Sequence, residues 1–540
     1  MGHMRRFVWL LVGVLVIVLA IPPMAYPADG AAAGRESAEL ARMREEAKGR
    51  RRRLIYNNDG NDMSRKRHAT PEEFLAQRIV PALNTQVDSI FYCTGGTTHY
   101  DHDTKVADTS YFLHEQFSFT GFQPINRHAN MRMLREAGVD CLSLVTKRVH
   151  EAGLEVFWTH RINDIHDSFT EWLYSKWKRD HPQYMMGVPD DIKRYKITHP
   201  RYMWSTLDFE KPEVLEYLYR ITEEVCQRYD VDGIEIDYFR HPLFFRPNLE
   251  YKPASPAQVE IMTGFQARIR EMAYREGTRR GRPILVSTHV PMSRETCLHV
   301  GIDLERWLRD DLLDILVTGS GYQPLSMPSR DLAELGHAHG VPVYPNISNS
   351  GMEQWNKRIE AWRAAASNVW NSGADGMHLF NWFPGDLNDP LFMTLGDPQT
   401  LAGRDKLFGI DNVKEVYGCL EQGVVQSQIL PVKLDPSGKP REVNLPIGDD
   451  LGAAASELES ATLRVRFVSR APNDKVELRL NGEPVLPEGE ISPDGWVTYR
   501  PEPGLYCHGD NALSFRVTAG EPAPTETMSV GNVELIVDYR

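Results

Sequence analysis

The stretch Asp232-Gly-Ile-Glu-Ile-Asp-Tyr-Phe-Arg-His-Pro242 places two acids inside an otherwise apolar β-strand pattern. Residues of equal parity on a strand point to the same face, so Glu235 and Asp237 share one face with Gly233. Carboxylates are not placed on a buried strand face unless other groups compensate their lost hydration. Asp237 also stands where the strand ends, and catalytic residues of β/α barrels lie at that end. The stretch therefore predicts a functional strand; an ion pair with Arg240 or a loop cap is the structural alternative.

Eight short apolar, β-rich runs recur along the chain, and helical patterns separate most of them. Such alternation predicts parallel pairing, and eight units close a barrel within the usual length. A doubly wound open sheet is the alternative, but no glycine-rich nucleotide motif follows the first run. We therefore predict an α/β fold, a (β/α)8 TIM barrel, over residues 54–408. The predicted strands are Leu54–Asn58, Ser89–Thr94, Leu154–His160, Gly233–Phe239, Ile284–Val290, Asp314–Thr318, Val341–Ile347 and Gly376–Trp382. The predicted helices include Pro212–Tyr229, Ser255–Gly277, Asp303–Arg309, Ser329–His339 and Met352–Asn371.

After the last of these runs, short alternating strands are separated by turn residues such as Asn481-Gly482. Regular short strands of this kind predict a C-terminal antiparallel β-sandwich. We place a helical piece at Pro398–Leu407 and the linker with its sandwich at 409–540. The sandwich either braces the barrel or binds sugar, and we favour bracing. Its predicted strands are Arg441–Leu445, Ala461–Val468, Lys475–Leu480, Trp496–Arg500, Ala512–Thr518 and Val533–Asp538.

The N-terminal residues predict export. Arg5 and Arg6 precede an apolar run from Phe7 to Ile21 and then small residues, the pattern of a secretory signal over residues 1–28. The run is short for a membrane-spanning helix, which needs about 20 residues, although an uncleaved N-terminal anchor is the alternative. Residues 29–53, which end in the basic run Arg50–Arg53, are expected to form a solvated linker. We expect a periplasmic or extracellular protein.

Composition agrees with a large soluble enzyme. The 540 residues are 41% hydrophobic and carry a formal net charge of −13. Nucleic-acid binding needs a basic surface that replaces phosphate counterions, so no nucleic-acid partner is expected. The six cysteines are scattered singly without any Cys-x-x-Cys motif, which favours free thiols over one or two disulfides. The oligomeric state is not predicted.

Amides, histidines, acids and aromatic side chains gather at the predicted strand ends. This mixture suits a carbohydrate, because aromatic rings stack on the apolar faces of a sugar while polar groups bind its hydroxyls. A phosphorylated substrate is served less well, since no glycine-rich loop follows the seventh or eighth strand. The predicted substrate-binding residues are Asn58, Asp59, Tyr92, Trp158, His160, Arg161, Arg240, His289, Tyr322, Asn346, Asn381 and Trp382.

The motif at 232–242 resembles the fourth strand of secreted bacterial glycoside hydrolase-like TIM barrels, the glycosyl hydrolase-like 10 type of group. The segments at 300–308 and 375–382 resemble the same broad class, and the resemblance spans most of residues 54–408. It implies a barrel that hydrolyses O-glycosyl bonds. In the amylase and α-galactosidase barrels the fourth-strand aspartate is the nucleophile, and only Asp237 matches that position. Glu235 stands where amylase-type barrels have an arginine, so their detailed geometry is not carried over.

A glycosidase needs two carboxyl groups, one ionised and one that protonates the leaving group. Asp237 is the expected nucleophile or base, and Arg240 or Arg161 would keep its pKa low. Glu295, just after the fifth strand, is the leading general acid because amylase-type barrels take theirs from that strand end. Glu235 is the rival, because burial would raise its pKa. Three further acids stay open: Asp59, Asp164 and Asp386. The sugar, its linkage and the stereochemical outcome are not predicted.

Two other classes of function remain as alternatives. His160, Asp237 and His289 end neighbouring predicted strands, and two histidines with a carboxylate can hold a catalytic metal in a hydrolase or lyase. A non-catalytic carbohydrate-binding barrel would keep the aromatic residues while its acids were structural. We favour the glycosidase, with a carbohydrate substrate as its partner and with neither a metal nor another cofactor.

Overall fold

The computed structural model describes residues 37–117, 119–381, 390–412, 430–469, 475–489, 491–519 and 528–540. All of these residues belong to one compact unit. The predicted export signal at 1–28 lies outside them. Within the described part of the chain, no helix is both long and apolar enough to cross a membrane.

Eight parallel strands close into a barrel in which successive strands along the chain are neighbours and the last pairs with the first. The strands are β1 (Leu54–Asn58), β2 (Val87–Cys93), β3 (Glu155–Arg161), β4 (Gly233–Asp237), β5 (Leu285–Val290), β6 (Ile315–Gly321), β7 (Val343–Ser348) and β8 (Met377–Phe380). The predicted barrel is confirmed, and each strand lies within a few residues of its predicted position.

Helices connect the strands. They are α1 (Ala38–Lys48), α2 (Asp62–Arg65), α3 (Pro71–Arg78), α4 (Ser110–Phe117), α5 (Phe122–Glu136), α6 (Cys141–His150), α7 (Lys176–Asp180), α8 (Asp191–Arg194), α9 (Pro212–Arg228), α10 (Pro256–Arg280), α11 (Arg294–His299), α12 (Leu304–Arg309), α13 (Arg330–Ala338), α14 (Ile359–Asn371) and α15 (Pro398–Leu401). The capping residues of α10 explain where this helix begins and ends. The Ser255 side chain accepts from Gln258 N, Pro256 occupies the first turn, and Gly281 ends the helix at φ 72°.

The lower part of the barrel interior is apolar. Its cluster consists of Ile55, Phe91, Phe157, Leu285, Ile315, Val317 and Tyr344. A Cβ at position 233 would lie 2.2 Å from Phe157 Cε1 and 2.7 Å from the Leu285 carbonyl oxygen. The glycine that opens β4 is therefore required by packing, because only it leaves room for the Phe157 ring. Above this layer the inward-facing residues become polar, and the candidate site begins.

From residue 37 onward, where the described residues begin, the segment predicted as a solvated linker is part of the barrel instead. Helix α1 closes the end at which the strands begin: Ala47 packs on the interior cluster, and Arg44 contacts Asp314 at 3.1 Å. Arg52 is fully buried, and its Nε and Nη2 donate to the two Glu155 carboxylate oxygens at 2.9 and 3.1 Å. The basic composition is misleading because the acids that neutralise these arginines lie more than 100 residues away in the chain.

The C-terminal part forms two antiparallel sheets, in agreement with the predicted sandwich. Its strands are β9 (Lys406–Ile410), β10 (Val432–Lys433), β11 (Arg441–Ile447), β12 (Leu458–Val468), β13 (Lys475–Leu480), β14 (Glu483–Val485), β15 (Pro487–Glu488), β16 (Trp496–Tyr499), β17 (Gly509–Ala519) and β18 (Ser529–Tyr539). One sheet has the order β9-β18-β12-β16-β15 with β10 also on β18, and the other has the order β11-β17-β13-β14. The helix predicted at 398–407 is shorter: α15 ends at Leu401, and β9 follows because its backbone pairs with β18.

One carboxylate joins the barrel and the sandwich. Asp411 directly follows β9, is fully buried, and accepts from Trp355 Nε1 at 2.8 Å. It also accepts from the Ser326 hydroxyl and from the backbone N–H groups of Leu325 and Ser326, at 2.8 to 2.9 Å. Burial raises the pKa of Asp411 to about 6 in spite of these donors.

Five of the six cysteines lie in the described residues, and all five are free thiols. Four of them are buried in the barrel, at positions 93, 141, 226 and 297, while Cys507 of the sandwich is exposed. This confirms the expectation of free thiols for these five. Cys419 lies outside the described residues.

Candidate active site

A cavity of about 300 Å³ lies at the carboxyl ends of the barrel strands. The loops after β1, β2 and β3 form most of its wall, together with α5, and the ends of β4 and β8 complete one side. Its acids are Asp59, Asp164 and Asp167, and its arginines are Arg65, Arg127, Arg161 and Arg240. A pocket at this end of a (β/α)8 barrel is where substrates bind in this fold.

Asp237 lies one layer below this cavity, at the end of β4, and is fully buried. The Arg240 backbone N–H donates to its Oδ1 at 2.8 Å, and His289 Nδ1 of β5 lies 3.3 Å from the same oxygen. Oδ2 has no hydrogen-bond partner among the described residues. Burial acts to raise the pKa of this carboxyl group, but His289 and Arg161 outweigh it and hold the pKa below the usual value. Asp237 is therefore ionised.

The orientation of His289 is fixed from its other side. Asn346 Nδ2 of β7 donates to His289 Nε2 at 2.5 Å. An accepting Nε2 leaves the ring proton on Nδ1, which faces Asp237. The strand pairing supports the arrangement, because Asp237 lies directly opposite His289 in the register of β4 and β5.

Glu235 lies deeper on the same face of β4 and is also fully buried. The Thr159 hydroxyl of β3 donates to its Oε2 at 2.8 Å, and His378 Nε2 of β8 lies 3.3 Å from its Oε1. Burial lowers the pKa of His378, although Glu235 opposes that shift. The rings of His378 and His289 are 5.2 Å apart, so the two acid–histidine pairs lie side by side inside the barrel.

A second set of contacts forms the cavity floor. His166 Nδ1 lies 2.6 Å from Asp164 Oδ1, and Arg240 Nη2 donates to His166 Nε2 at 2.8 Å. Arg161 Nη2 donates to Asn381 Oδ1 at 2.9 Å and Nη1 lies 3.5 Å from Asp164 Oδ2. Burial acts to raise the pKa of Asp164, but His166 and Arg161 hold this pKa well below its usual value.

The structure brings together some of the predicted site residues. Those that line the cavity are Asp59, Arg161, Arg240 and Asn381. His289 and Asn346 lie beside Asp237, and Tyr322 accepts from Arg240 Nη1 at 3.0 Å. Trp382 and Asp386 lie outside the described residues. Glu295 is exposed in the first turn of α11 and does not line the cavity.

Four predicted residues are on the outer face of the barrel wall, beneath the helices. They are Asn58, Tyr92, Trp158 and His160. All four are completely buried: Trp158 Nε1 donates to Thr94 Oγ1 at 2.9 Å, and His160 Nδ1 contacts Thr222 of α9 at 3.0 Å. Strand alternation explains this placement, because Thr159 and Arg161 face inward on β3 and their neighbours must face outward.

The same alternation separates the predicted metal ligands, since His160 points away from Asp237 and His289. A different group, Asp164, His166 and His241, brings possible ligand atoms within 4.8 Å of one another. It is a poor cation site, because Arg240 and Asp164 already occupy both ring nitrogens of His166. A guanidinium group in contact with the ring also repels a cation.

Several site residues were not predicted: Arg127, His166, Trp172 and His378. The first three lie in connections between strands or in α5, where no strand-end rule points to them. His378 could have been found, because it has the same parity on β8 as Phe380 and stands in the segment 375–382 singled out by the resemblance.

Residues 117–249 match the family model described as Glycosyl hydrolase-like 10. The matched segment runs from the end of α4 through β3 and β4, and it contains Arg127, Asp164, Asp237 and Arg240. The resemblance is confirmed for this part of the chain. Over these residues the chain is similar to the glycosyl hydrolase-like family, and the matched segment lies in a (β/α)8 barrel. The sequence matches none of the curated proteins with which it was compared.

Solved structures with a related fold are only distantly similar. α-L-Fucosidase isoenzyme 2 from Paenibacillus thiaminolyticus has a TM-score of 0.39 and 14% identity, over 65% of this chain and 49% of that one. The PgaB (BpsB) glycoside hydrolase domain from Bordetella bronchiseptica has a TM-score of 0.36 and 11% identity, over 64% of this chain and 98% of that one. A cycloisomaltooligosaccharide glucanotransferase from Paenibacillus sp. has a TM-score of 0.33 and 10% identity, over 90% of this chain and 57% of that one. The chain thus spans about half the length of the fucosidase and the glucanotransferase.

Proposed function

We propose that the protein is a glycoside hydrolase of oligo- or polysaccharides, with Asp237 as nucleophile or base. The observation that supports this most is the state of its carboxylate. One oxygen is held by His289 and the Arg240 N–H, while Oδ2 has no partner among the described residues. A buried, ionised and singly held carboxylate at the end of β4 is suited to attack an anomeric carbon or to activate water.

The proposal requires a movement on substrate binding. Arg161 is the register partner of Asp237 on β3 and lines the cavity, and the Arg240 side chain lines it as well. Asp237 itself is fully buried. We therefore propose that one of these guanidinium groups turns toward the bound sugar and opens the path to Oδ2.

The general acid is better supplied by an aspartate of the cavity wall than by Glu295 or Glu235, the two glutamates predicted from the sequence. Glu295 is exposed and away from the cavity, and Glu235 is buried below Asp237. Asp164 is unsuited to donating a proton, because its depressed pKa keeps it ionised. We propose Asp167, because burial raises its pKa in spite of the contact with Lys178, whereas Asp59 is paired with Arg78. Glu235→Gln and Glu295→Gln serve as comparisons in a test for sensitivity to the leaving group.

The test of the proposal is Asp237→Asn, assayed by release of reducing ends from a polysaccharide panel. An amide can neither attack nor accept the proton, so turnover should fall by about 10²–10⁴-fold or more while the protein still folds. Asp230→Asn, at an exposed position just before β4, is the matched control and should keep full activity. Chelation should leave turnover unchanged. Near-normal turnover in folded Asp237→Asn, or loss on chelation with recovery on adding zinc, would refute the assignment.

A further inference from the structure

The cavity concentrates arginine in a chain that is acidic overall. Four arginines and three aspartates line it, whereas the whole chain has a formal net charge of −13. The positive character is therefore a property of this site and not of the protein surface in general.

Two of the three cavity acids are neutralised from behind the wall. Arg78 Nη1 lies 3.0 Å from Asp59 Oδ1, and Lys178 Nζ lies 2.6 Å from Asp167 Oδ2. Neither cation lines the cavity. Each of these two aspartates thus has a cation of its own behind the wall, so they do little to offset the four guanidinium groups that line the cavity.

Arg127 of α5 has the geometry of a preorganised anion-binding group. Its side chain is 9% exposed, and its guanidinium carbon lies 4.9 Å from the centre of the Trp172 ring, which also lines the cavity. Its nearest acid, Asp101, is 3.5 Å away, and Nε and Nη1 make no hydrogen bond within the described residues. Burial raises the pKa of Asp101 to about 6, so this counter-charge is weak.

His99, in the loop after β2, gives independent support. It lines the cavity and is 5% exposed, and its Nε2 has no partner in the described part of the chain. Burial and then the charge of Arg127 lower its pKa to about 3. The imidazole is therefore neutral beside the guanidinium group. Its Nε2 is available to hydrogen-bond a ligand that binds Arg127.

We propose that the substrate is an acidic glycan whose carboxylate binds Arg127, while Trp172 stacks on the same sugar residue. A planar carboxylate matches the two parallel N–H donors of a guanidinium group, and aromatic rings stack on sugar faces. This inference rests on the proposed function, but it concerns binding and can be tested without turnover.

The test is calorimetric titration of the full chain carrying Asp237→Asn. The probes are oligogalacturonate, alginate and hyaluronan oligosaccharides, each beside its carboxyl-reduced neutral counterpart, and a chondroitin sulfate oligosaccharide beside its desulfated form. At least one uronate should bind about ten- to a hundredfold more tightly than its neutral counterpart, as expected for a charge-assisted pair. Adding Arg127→Gln should abolish that preference.

Arg132→Gln is the matched control, since Arg132 is an exposed arginine on the same helix. If Arg127→Gln fails to fold, Arg65→Gln at the exposed cavity rim should still reduce the preference severalfold. The inference is overturned if no uronate is preferred, if only the sulfate is, or if the preference survives Arg127→Gln. A neutral glycan hydrolysed through Asp237 would overturn it and leave the glycosidase proposal intact. Arg127-dependent uronate binding without hydrolysis would support this inference and count against the glycosidase proposal.

Discussion

Asp237 combines complete burial with an ionised carboxylate, and its polar surroundings explain how. Loss of hydration favours the neutral acid, whereas His289 and Arg161 favour the anion. Because the balance lies with the anion, Asp237 stays charged as the pH falls below the usual range of a carboxyl group. The His289 imidazole, with Nδ1 3.3 Å from Asp237 Oδ1, is held in place by Asn346.

Replacing His289 should move the acidic side of the pH–activity profile. In His289→Gln the burial of Asp237 remains while the imidazole that favours its anion is lost, so the pKa of Asp237 rises. Activity should then disappear at a pH about one unit higher than in the unmodified protein. The profile of kcat/KM against pH measures this shift. His337→Gln, at an exposed histidine that contacts Asp375, should leave the profile unchanged. An unmoved acidic limb in His289→Gln would show that another group controls it.

The alternation of side chains along β4 is enough to predict that Glu235 and Asp237 share one face, which lies inside the barrel. It was not enough on β3, where Trp158 and His160 were chosen by their nearness to the strand end. The pairing of Arg161 with Asp237 shows that the inward set on β3 is the odd-numbered one. That register depends on contacts between strands distant in the chain, which no local pattern contains.

Among the elements, β4 depends most visibly on one small residue. Gly233→Ala should destabilise the barrel, since the new Cβ would meet Phe157 Cε1 at 2.2 Å. Phe157 cannot retreat easily because it stacks on Phe91 at 4.4 Å. We expect a loss of about 1–3 kcal/mol, the usual cost of overpacking, measured as a lower thermal midpoint. Gly504→Ala has no heavy atom within 4 Å of its Cβ and should be neutral. Equal midpoints for the two variants would contradict this account.

Strands and long helices were predictable because their apolar periods are local and repeated. The cavity walls were not, because the connections that follow β2 and β3 carry Arg127 and Trp172 without any period. Helix α1 was missed for a related reason. Arg44 of α1 and Arg52 just after it look like linker residues until Asp314 and Glu155, distant in the sequence, are brought to them by the fold.

For the molecule as a whole, Asp411 makes the junction between barrel and sandwich sensitive to pH. Its folded pKa of about 6 lies above the ordinary value of 3.8, so folding favours its protonated form. Its contribution to stability is complete below the ordinary value and is lost as the pH rises through about 6. The difference corresponds to about 3 kcal/mol over that range.

Asp411→Asn should remove this dependence, because an amide does not titrate. Between pH 4 and 6.5 the thermal midpoint of the variant should rise relative to that of the unmodified protein. Differential scanning calorimetry at a series of pH values measures the change. Asp450→Asn, at an exposed position of the sandwich, should run parallel to the unmodified protein. A constant offset between Asp411→Asn and the unmodified protein would show that Asp411 does not titrate with folding.

The distribution of thiols provides a built-in reporter of when the barrel opens. With Cys419 replaced by serine, a maleimide dye should react with native protein at Cys507 of the sandwich, while the four barrel thiols are shielded. Burial also raises the pKa of Cys93 and of Cys226 to about 12, which leaves little reactive thiolate at neutral pH. Counting attached dyes by mass spectrometry during mild denaturation would therefore time the opening of the barrel, with Cys507 as an internal reference that reacts from the start.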